Sequence, residues 1–466
     1  MPQLPSERLK QWRASNAFVE RMLAATFDDD APCVAPHVAP NAVDNHPLRS
    51  ERLQLHLDDV THSRLTAGNT CKLLLNGNSG QKKFDLVDTA KHSLFITALI
   101  YHCDAGGQAL TDKLVAARKR GVDVRLVVDA LGAVAGVGCF HKLREAGVKL
   151  TVSSRSLAPT TIDWEMHDKL FIQDGKRAVV GGQNVGSWYF DSNGVDDNYR
   201  DTDLYVEGPV VRDVGRRFMR IWQEQNPLDA SLERFCRQQQ ELDVKDATAG
   251  RLGRQHYKRW LAPIDDGGAA GGGAAGGGEG GKGVCRFVGQ DPHKGTFHVF
   301  ETYQLLAQRC RQHLALHALS LDPVGSPHQE RLRDTLVALA AKKKGRVDIL
   351  TNGPGLLKSR AMPAQLGSLF GSSFLSDAHE GFVGSDVNLY AYRSYLHSKV
   401  FAFDHVAAAI GSFNYDASGV RCQESTVVCW DPTLVRHVDA MFANDLANST
   451  PVPLVVDDAS DTSNTK

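Results

Sequence analysis

Two short stretches of this chain set an imidazole, an ammonium group and a carboxylate at fixed spacing. The first is His167, Lys169 and Asp174; the second is His397, Lys399 and Asp404. A glycine follows each histidine by 14 residues and an asparagine by 17, giving Gly181 and Asn184, then Gly411 and Asn414. Every matched position is offset by 230 residues. One such H-x-K-x4-D match is weak, but a second copy with the same downstream offsets is a strong signal. The bland alternative is a pair of surface strands that each happen to carry His and Lys.

The chemistry that fits is displacement at a phosphodiester. It needs a nucleophile, an acid for the departing alkoxide and positive charge on the non-bridging oxygens. Two histidines on opposite sides of one phosphorus supply the first two, because imidazole changes charge near neutral pH. Lys169, Lys399, Asn184 and Asn414 are suited to holding the oxygens. Gly182 and Ser412, just after the motif glycines, complete the predicted phosphate-binding set, since glycine lets a bulky anion approach the backbone. Asp174 and Asp404 belong to the catalytic motif. Their place before a turn predicts a structural more than a chemical role. A metal centre is the rival use of His and Asp, but lysine is not a ligand, so no metal site is predicted.

These residues must be positioned by strands. A β-branched and aromatic run follows each histidine. Residues i and i+2 of a strand share a face, so His167 would point with Lys169, and Leu170 with Ile172 would face a core. A hairpin at Asp174-Gly175 would bring back the strand at 178–182 and carry Asn184 to the pair.

At these residues the chain resembles the phospholipase D superfamily, whose signature is a duplicated HKD motif. The segment Tyr199-Arg-Asp-Thr-Asp-Leu204 to Glu207-Gly-Pro209, and Asn414-Tyr-Asp-Ala-Ser418 with Gln423-Glu424, are similar to segments of bacterial cardiolipin synthases. The similarity runs from about 71 to 449. It departs at Ser418-Gly419, where Arg-Ser is usual, at a central Gly-rich tract, and in lacking paired N-terminal membrane spans. The resemblance implies that Asp201 and Glu424 orient the histidines, that His167 attacks and His397 protonates the leaving group, and that no metal or cofactor is required. It further implies a phospholipid substrate and phosphatidyl transfer to an alcohol. Hydrolysis of phospholipids, or less readily a metal-independent nuclease, are the alternatives.

Around the motifs the chain alternates strand and helix: strands at 71–75, 93–101 and 122–129 with helices at 82–90 and 107–121, then strands at 284–288, 314–319 and 346–350 with helices at 298–312 and 327–344. This predicts a duplicated α/β fold, two βαβ-type lobes with mixed sheets around a pseudo-twofold axis. Pro209 would open a helix burying Phe218, Ile221 and Trp222, and a last helix would cover 432–448. The predicted division is an N-terminal extension at 1–66 with a helix over 6–26, a first lobe at 67–226, a connector at 227–283, a second lobe at 284–449 and a disordered tail at 450–466. The Gly/Ala-rich stretch at 267–283 cannot bury a face and reads as flexible; without a G-K-[ST] ending it is not a phosphate loop. The stretch 353–384 reads as a loop over the site. Arg118, Lys119 and Arg120 read first as a solvated helix end, where cations suit the dipole, and second as a headgroup contact.

Composition narrows the class. A formal charge of -1 argues against a dedicated nucleic-acid binder. Nine cysteines without a C-x-x-C pair read as reduced, mostly buried thiols of a cytosolic protein. No signal-peptide pattern and no apolar run of the ~18 residues needed to span a membrane is present. With a lipid as the expected substrate, the expected place is the cytoplasm, at the inner face of the membrane as a peripheral protein. Nothing in the sequence sets the oligomeric state.

Overall fold

The computed structural model describes residues 46–153, 166–192, 199–227, 229, 257–261, 283–352 and 379–454. The helix expected over 6–26, nearly all of the Gly/Ala-rich tract, most of the 227–262 connector and residues 353–378 lie outside them, as does the tail beyond 454.

The chain first forms helix α1 (Glu51–Thr61) and strand β1 (Leu65–Leu75), then helix α2 (Gly77–Thr89) and β2 (Ser93–Ala98). Helix α3 (Ala105–Lys119), β3 (Asp123–Asp129), α4 (Val137–Glu145) and β4 (Lys149–Ser153) follow. The hairpin of β5 (Leu170–Gln173) and β6 (Arg177–Gly181) carries the first motif, and β7 (Tyr199–Arg200), β8 (Thr202–Glu207) and α5 (Val210–Gln225) close the first lobe. The second lobe repeats the plan with β9 (Gly283–Gln290), α6 (His298–Arg309), β10 (His313–His317), α7 (Pro327–Ala340) and β11 (Arg346–Asn352). It continues through β12 (Asn388–Tyr392), β13 (Tyr395–Leu396), β14 (Val400–Phe403), β15 (Ala407–Gly411), β16 (Glu424–Cys429), α8 (Pro432–Ala447) and β17 (Ser449–Val452).

The local chemistry accounts for these elements. Strand β2 is buried along its whole length, as a continuous apolar run requires. Helix α3 starts at Asp104, whose carboxylate accepts from the Gly107 amide, and ends in Arg118 and Lys119. Arg118 and Arg120 both donate to backbone carbonyls, of Gly147 and Val87, so these two cations tie down the helix end. Asp431 caps α8 through the Thr433 and Leu434 amides.

In each lobe three parallel strands (β2, β3, β4; β10, β11, β12) meet the antiparallel motif hairpin. Antiparallel pairing of β1 with β9 joins the halves into one 15-stranded sheet ordered 17-12-11-10-14-15-16-9-1-8-6-5-2-3-4. Beneath its centre α5 and α8 share a core: Phe218, Ile221 and Trp222 from one, Val438, Met441 and Phe442 from the other. The predicted duplication in a mixed α/β sheet is thus what the chain forms.

Three expectations change. The extension was set at 1–66, yet Leu48, Leu53 and Leu57 pack among Val299, Phe300, Tyr303 and Leu306 of the second lobe. Buried Arg286 of β9 holds α1 in place, pairing with Asp58 at 2.7 Å and donating to the Gln54 carbonyl. The tail expected from 450 begins instead as β17, paired with β12, because the outer edge of β12 would otherwise be unpaired. The all-thiol reading is also corrected: Cys103–Cys139 and Cys285–Cys429 are disulfides, and Cys71, Cys310 and Cys422 stand outside these two pairs. With those pairs the cysteine argument for a cytosolic protein falls away.

Candidate active site

The strands start later than the motif spacing suggested. β5 begins at Leu170 and β14 at Val400, so each His-x-Lys segment lies just before its strand. What extends these segments is pairing with the opposite lobe. The His167 amide donates to the Gln423 carbonyl at 3.0 Å, and the His397 amide to the Arg200 carbonyl at 2.8 Å. Strands β7 and β13 pair at the same crossing. Each lysine turns back on its own motif: Lys169 donates to the His167 carbonyl at 2.8 Å, and Lys399 donates to the His397 carbonyl. Leu170 and Ile172 enter the shared core as expected.

The imidazoles are backed by carboxylates exchanged between lobes. His167 Nδ1 lies 2.8 Å from Oε1 of Glu424, and His397 Nδ1 lies 2.7 Å from Oδ2 of Asp201. Glu424 opens β16 in the second lobe, and Asp201 precedes β8 in the first. Neither half can therefore orient its own histidine. All four groups are buried, with His167 5 % and His397 6 % exposed. Burial, then the Lys169 and Lys399 charges and His397, holds the His167 pKa well below the usual imidazole range. Burial and the same two lysines do this to His397. Burial raises Asp201 to about 6 and Glu424 well above the usual carboxyl range, and lowers Lys399 to about 8.

Other predicted residues occupy defined places. Asp174 accepts from the amides of Lys91, His92 and Ser93, and Asp404 from those of Arg311, Gln312 and His313. These motif carboxylates pin the turn entering β2 or β10, a job in the fold rather than at phosphorus. Both sit at positive φ, 52° and 49°, which aspartate tolerates better than most residues.

Gly182 and Ser412 were assigned to the phosphate, and the structure gives them different neighbours. A Cβ on Gly182 would stand 2.3 Å from Oδ1 of Asp201, so the missing side chain makes room for the carboxylate, not for an anion. The Ser412 hydroxyl donates to Glu424. Asn184 is engaged, accepting from the Ile100 amide and donating to the Tyr189 hydroxyl, whereas the buried Oδ1 of Asn414 has no partner among the described residues. At the second residue of the Ser418-Gly419 departure this backbone has no room for a side chain: a Cβ at 419 would lie 2.1 Å from the Asn414 carbonyl oxygen.

Several supporting residues escaped the sequence reading. Asp168, between His167 and Lys169, is held by Arg217 of α5 at 2.6 Å. Its counterpart Ser398 donates to Thr202 and meets His317 Nδ1 at 3.0 Å. Arg200 pairs with Asp445 of α8 at 2.7 Å. Tyr199 stacks on the His397 ring at 5.6 Å and Tyr189 meets it edge-on at 5.3 Å. The sequence signals for these contacts were the buried face of α5, which carries Arg217, and the Tyr199-Arg200 pair inside the segment similar to cardiolipin synthases, which names no partner. Among the described residues, no group of three His, Cys, Asp or Glu donors converges at the histidines.

A duplicated α/β fold with two H-x-K segments meeting at its seam, each imidazole oriented from across it, defines an enzyme of the phospholipase D class. The family model described as "Cardiolipin synthase, PLD-like domain" matches residues 84–222 and 307–446, more than half of the chain. The chain belongs to that family. It is similar to cardiolipin synthase C of Escherichia coli (strain K12), 27% identical over 395 residues, which cover 77% of this chain and 81% of the relative. It is also similar to a cardiolipin synthase of Clostridium perfringens (strain SM101 / Type A), 22% identical over 420 residues, covering 88% and 78%. In fold it resembles the crystal structure of phosphatidylserine synthase from Haemophilus influenzae Rd KW20, with a TM-score of 0.60 and 13% identity, covering 86% of this chain and 91% of that one.

Proposed function

We propose that the protein is a phosphatidyltransferase of the cardiolipin synthase type, working through a phosphohistidine. The observation that carries this reading is the exchange of orienting carboxylates, Glu424 to His167 and Asp201 to His397, which makes one site from two motifs. His167 Nε2 attacks phosphorus, the P–O bond to the leaving alkoxide breaks, and His397 gives that oxygen its proton. An incoming alcohol then loses its proton to His397 and attacks, and the P–N bond breaks. The phosphodiester's negative charge favours the imidazolium that His397 needs, against the burial and lysine charge that disfavour it in the free protein. The carboxylates support this division of labour. Asp201, at about 6, is the one ionised near neutral pH, and it faces the histidine that must gain and lose a proton. Lys169, Lys399 and Asn414 hold the non-bridging oxygens, with Asn184 positioned beside them.

A peripheral place on the membrane fits the surface. No helix of the described residues is long and apolar enough to cross a membrane. The large hydrophobics most exposed among them are Val134 at 77%, Val137 at 52%, Val324 at 42% and Val383 at 39%. The short helical segment bearing Val134 and the loop bearing Val324 bond next to the two motif asparagines: the Tyr101 amide donates to the Gly132 carbonyl beside the Ile100–Asn184 bond, and Leu321 bridges to Tyr415. Apolar tips around the site suit a substrate drawn from a bilayer.

The test is incubation of the full chain with labelled phosphatidylglycerol in vesicles, with and without added glycerol, followed by product separation and flotation. A diphosphatidyl product and co-flotation support the proposal. Phosphatidate alone would make the protein a hydrolase. Failure to float, together with efficient cleavage of single-stranded DNA, would make it a nuclease.

A further inference from the structure

Away from the histidines, the central seam of the sheet carries a second cluster able to do chemistry. Strands β16, β9 and β1 are consecutive neighbours there. Cys429 and Cys285 are direct cross-strand partners, and both are fully buried. Cys71 of β1 brings its sulfur to 3.1 Å from that of Cys285 and 3.6 Å from that of Cys429. One sulfur comes from the first lobe and two from the second, at the join that makes the two lobes one sheet. All three lie within 4.8 Å of one another, and among the described residues no His, Asp or Glu donor falls within that distance of all three; the Asp431 carboxylate is a further neighbour of Cys71. The site is closed on one side by the core under α5 and α8, and Cys71 is the one of the three that is not fully buried. Gly283 leaves room beside it: a Cβ there would stand 3.1 Å from the Cys71 sulfur and 3.0 Å from Oδ2 of Asp431.

We propose that in the reduced chain Cys71, Cys285 and Cys429 form a three-sulfur site for one thiophilic d10 cation, with Cu(I) fitting better than Zn(II). Three soft sulfurs without a fourth donor satisfy Cu(I), whereas Zn(II) prefers four protein ligands in a structural site. The Cys285–Cys429 disulfide and the metal are alternative states of the same atoms. A dithiol reductant supplies two electrons and two protons to the disulfide and becomes a disulfide itself. Three thiols then release three protons as three metal–sulfur bonds form. The bound ion would tie β1 of the first lobe to β9 and β16 of the second. The inference is independent of the transfer reaction, since none of the three cysteines contacts the histidines or their carboxylates in the structure.

The test is anaerobic titration of the reduced full-length protein with Cu(I), and separately with Zn(II), each against a competing chelator. Thiolate-to-copper absorption and sulfur coordination by X-ray absorption are the readouts. The expected result is one Cu(I) per chain at three sulfurs, a raised melting temperature, and Zn(II) displaced by Cu(I). Cys71→Ser should abolish the copper absorption, and Cys310→Ser should leave it unchanged. Retention of the full signal in Cys71→Ser would overturn the proposal. So would a wild-type protein that, fully reduced by thiol count, binds no equivalent of either metal. If Cys71→Ser fails to fold, the sulfur count of the wild-type complex still decides, and fewer than three sulfurs sinks the site.

Discussion

The two half-sites present nearly the same groups at the seam but rest on different supports. Behind the first motif the layer is ionic. Asp203 of β8 pairs with Lys83 of α2 at 2.8 Å, accepts from the Ser79 hydroxyl, and accepts from the Gln183 amide at 3.1 Å. Behind the second motif the matching positions are aromatic. Thr426 takes the place of Asp203, Tyr303 donates to it at 2.9 Å, and Phe413 stands where Gln183 does, packed edge-on against Phe300 and Tyr303. The comparison separates what the chemistry demands from what the fold tolerates. Imidazole, ammonium and an exchanged carboxylate recur, while the layer behind them is a buried ion pair in one half and an edge-on aromatic cluster in the other. The halves also differ around the imidazoles: Tyr189 and Tyr199 surround His397, and burial raises the Glu424 carboxyl well above its usual range while Asp201 rises to about 6.

The first way to break the symmetry is to remove each imidazole. His167→Ala and His397→Ala should each lower phosphatidyl transfer by on the order of 10⁴-fold or more, since the pair acts as a unit. A loss below about 100-fold in either would mean that one motif is a scaffold.

The carboxylates should differ from each other. Asp201→Asn and Glu424→Gln should both lower kcat, within roughly 10²- to 10⁴-fold by analogy with other carboxylate-oriented histidines. Asp201→Asn should cost more, because it removes the group that is ionised near neutral pH. Steady-state kcat values in the opposite order would reverse the acid–base assignment.

The supporting layers should separate in stability. Lys83→Met leaves Asp203 buried without its cation and should cost about 3–5 kcal/mol in denaturant unfolding. Tyr303→Phe removes one neutral hydrogen bond and should cost about 1 kcal/mol. Equal losses would show that the ionic and aromatic layers carry the same weight.

The pH profile is the finest probe. Asp201 must be ionised, so kcat should rise with pH through about 6; Lys399 must be charged, so activity should fall as pH passes about 8. Asp201→Asn should flatten the acid limb only, and Lys399→Arg should move the basic limb upward. For stability the sign is separate. Asp201 is raised above its unfolded value, so its contribution is complete below about 3.8 and is lost as pH rises through about 6.

Much of the site was legible because its chemistry sits in short, repeated spacing. His167, Lys169, His397 and Lys399 came from the motif itself, and the strand–helix alternation gave the duplicated sheet. The orienting role of Asp201 and Glu424 was visible only through resemblance, and nothing local to either names a partner in the other half. Arg217 with Asp168 and Arg200 with Asp445 were not legible: they are partners 49 and 245 residues apart, and only packing brings them together. Helix α1 itself was not read from the sequence, and its place on the second lobe, set by Leu53 and Leu57, is likewise a product of packing. Gly182 was read for its freedom toward an anion, when the close neighbour is Asp201.

The central claim, one site with His167 attacking and His397 moving the proton, is tested most directly by trapping the intermediate. Unmodified protein and His397→Ala are mixed with a phosphatidyl substrate carrying a very good leaving group and a labelled phosphorus, quenched rapidly and digested. The account predicts label on the peptide containing His167 in both, and none in His167→Ala. Label on His397 in the unmodified protein would contradict it.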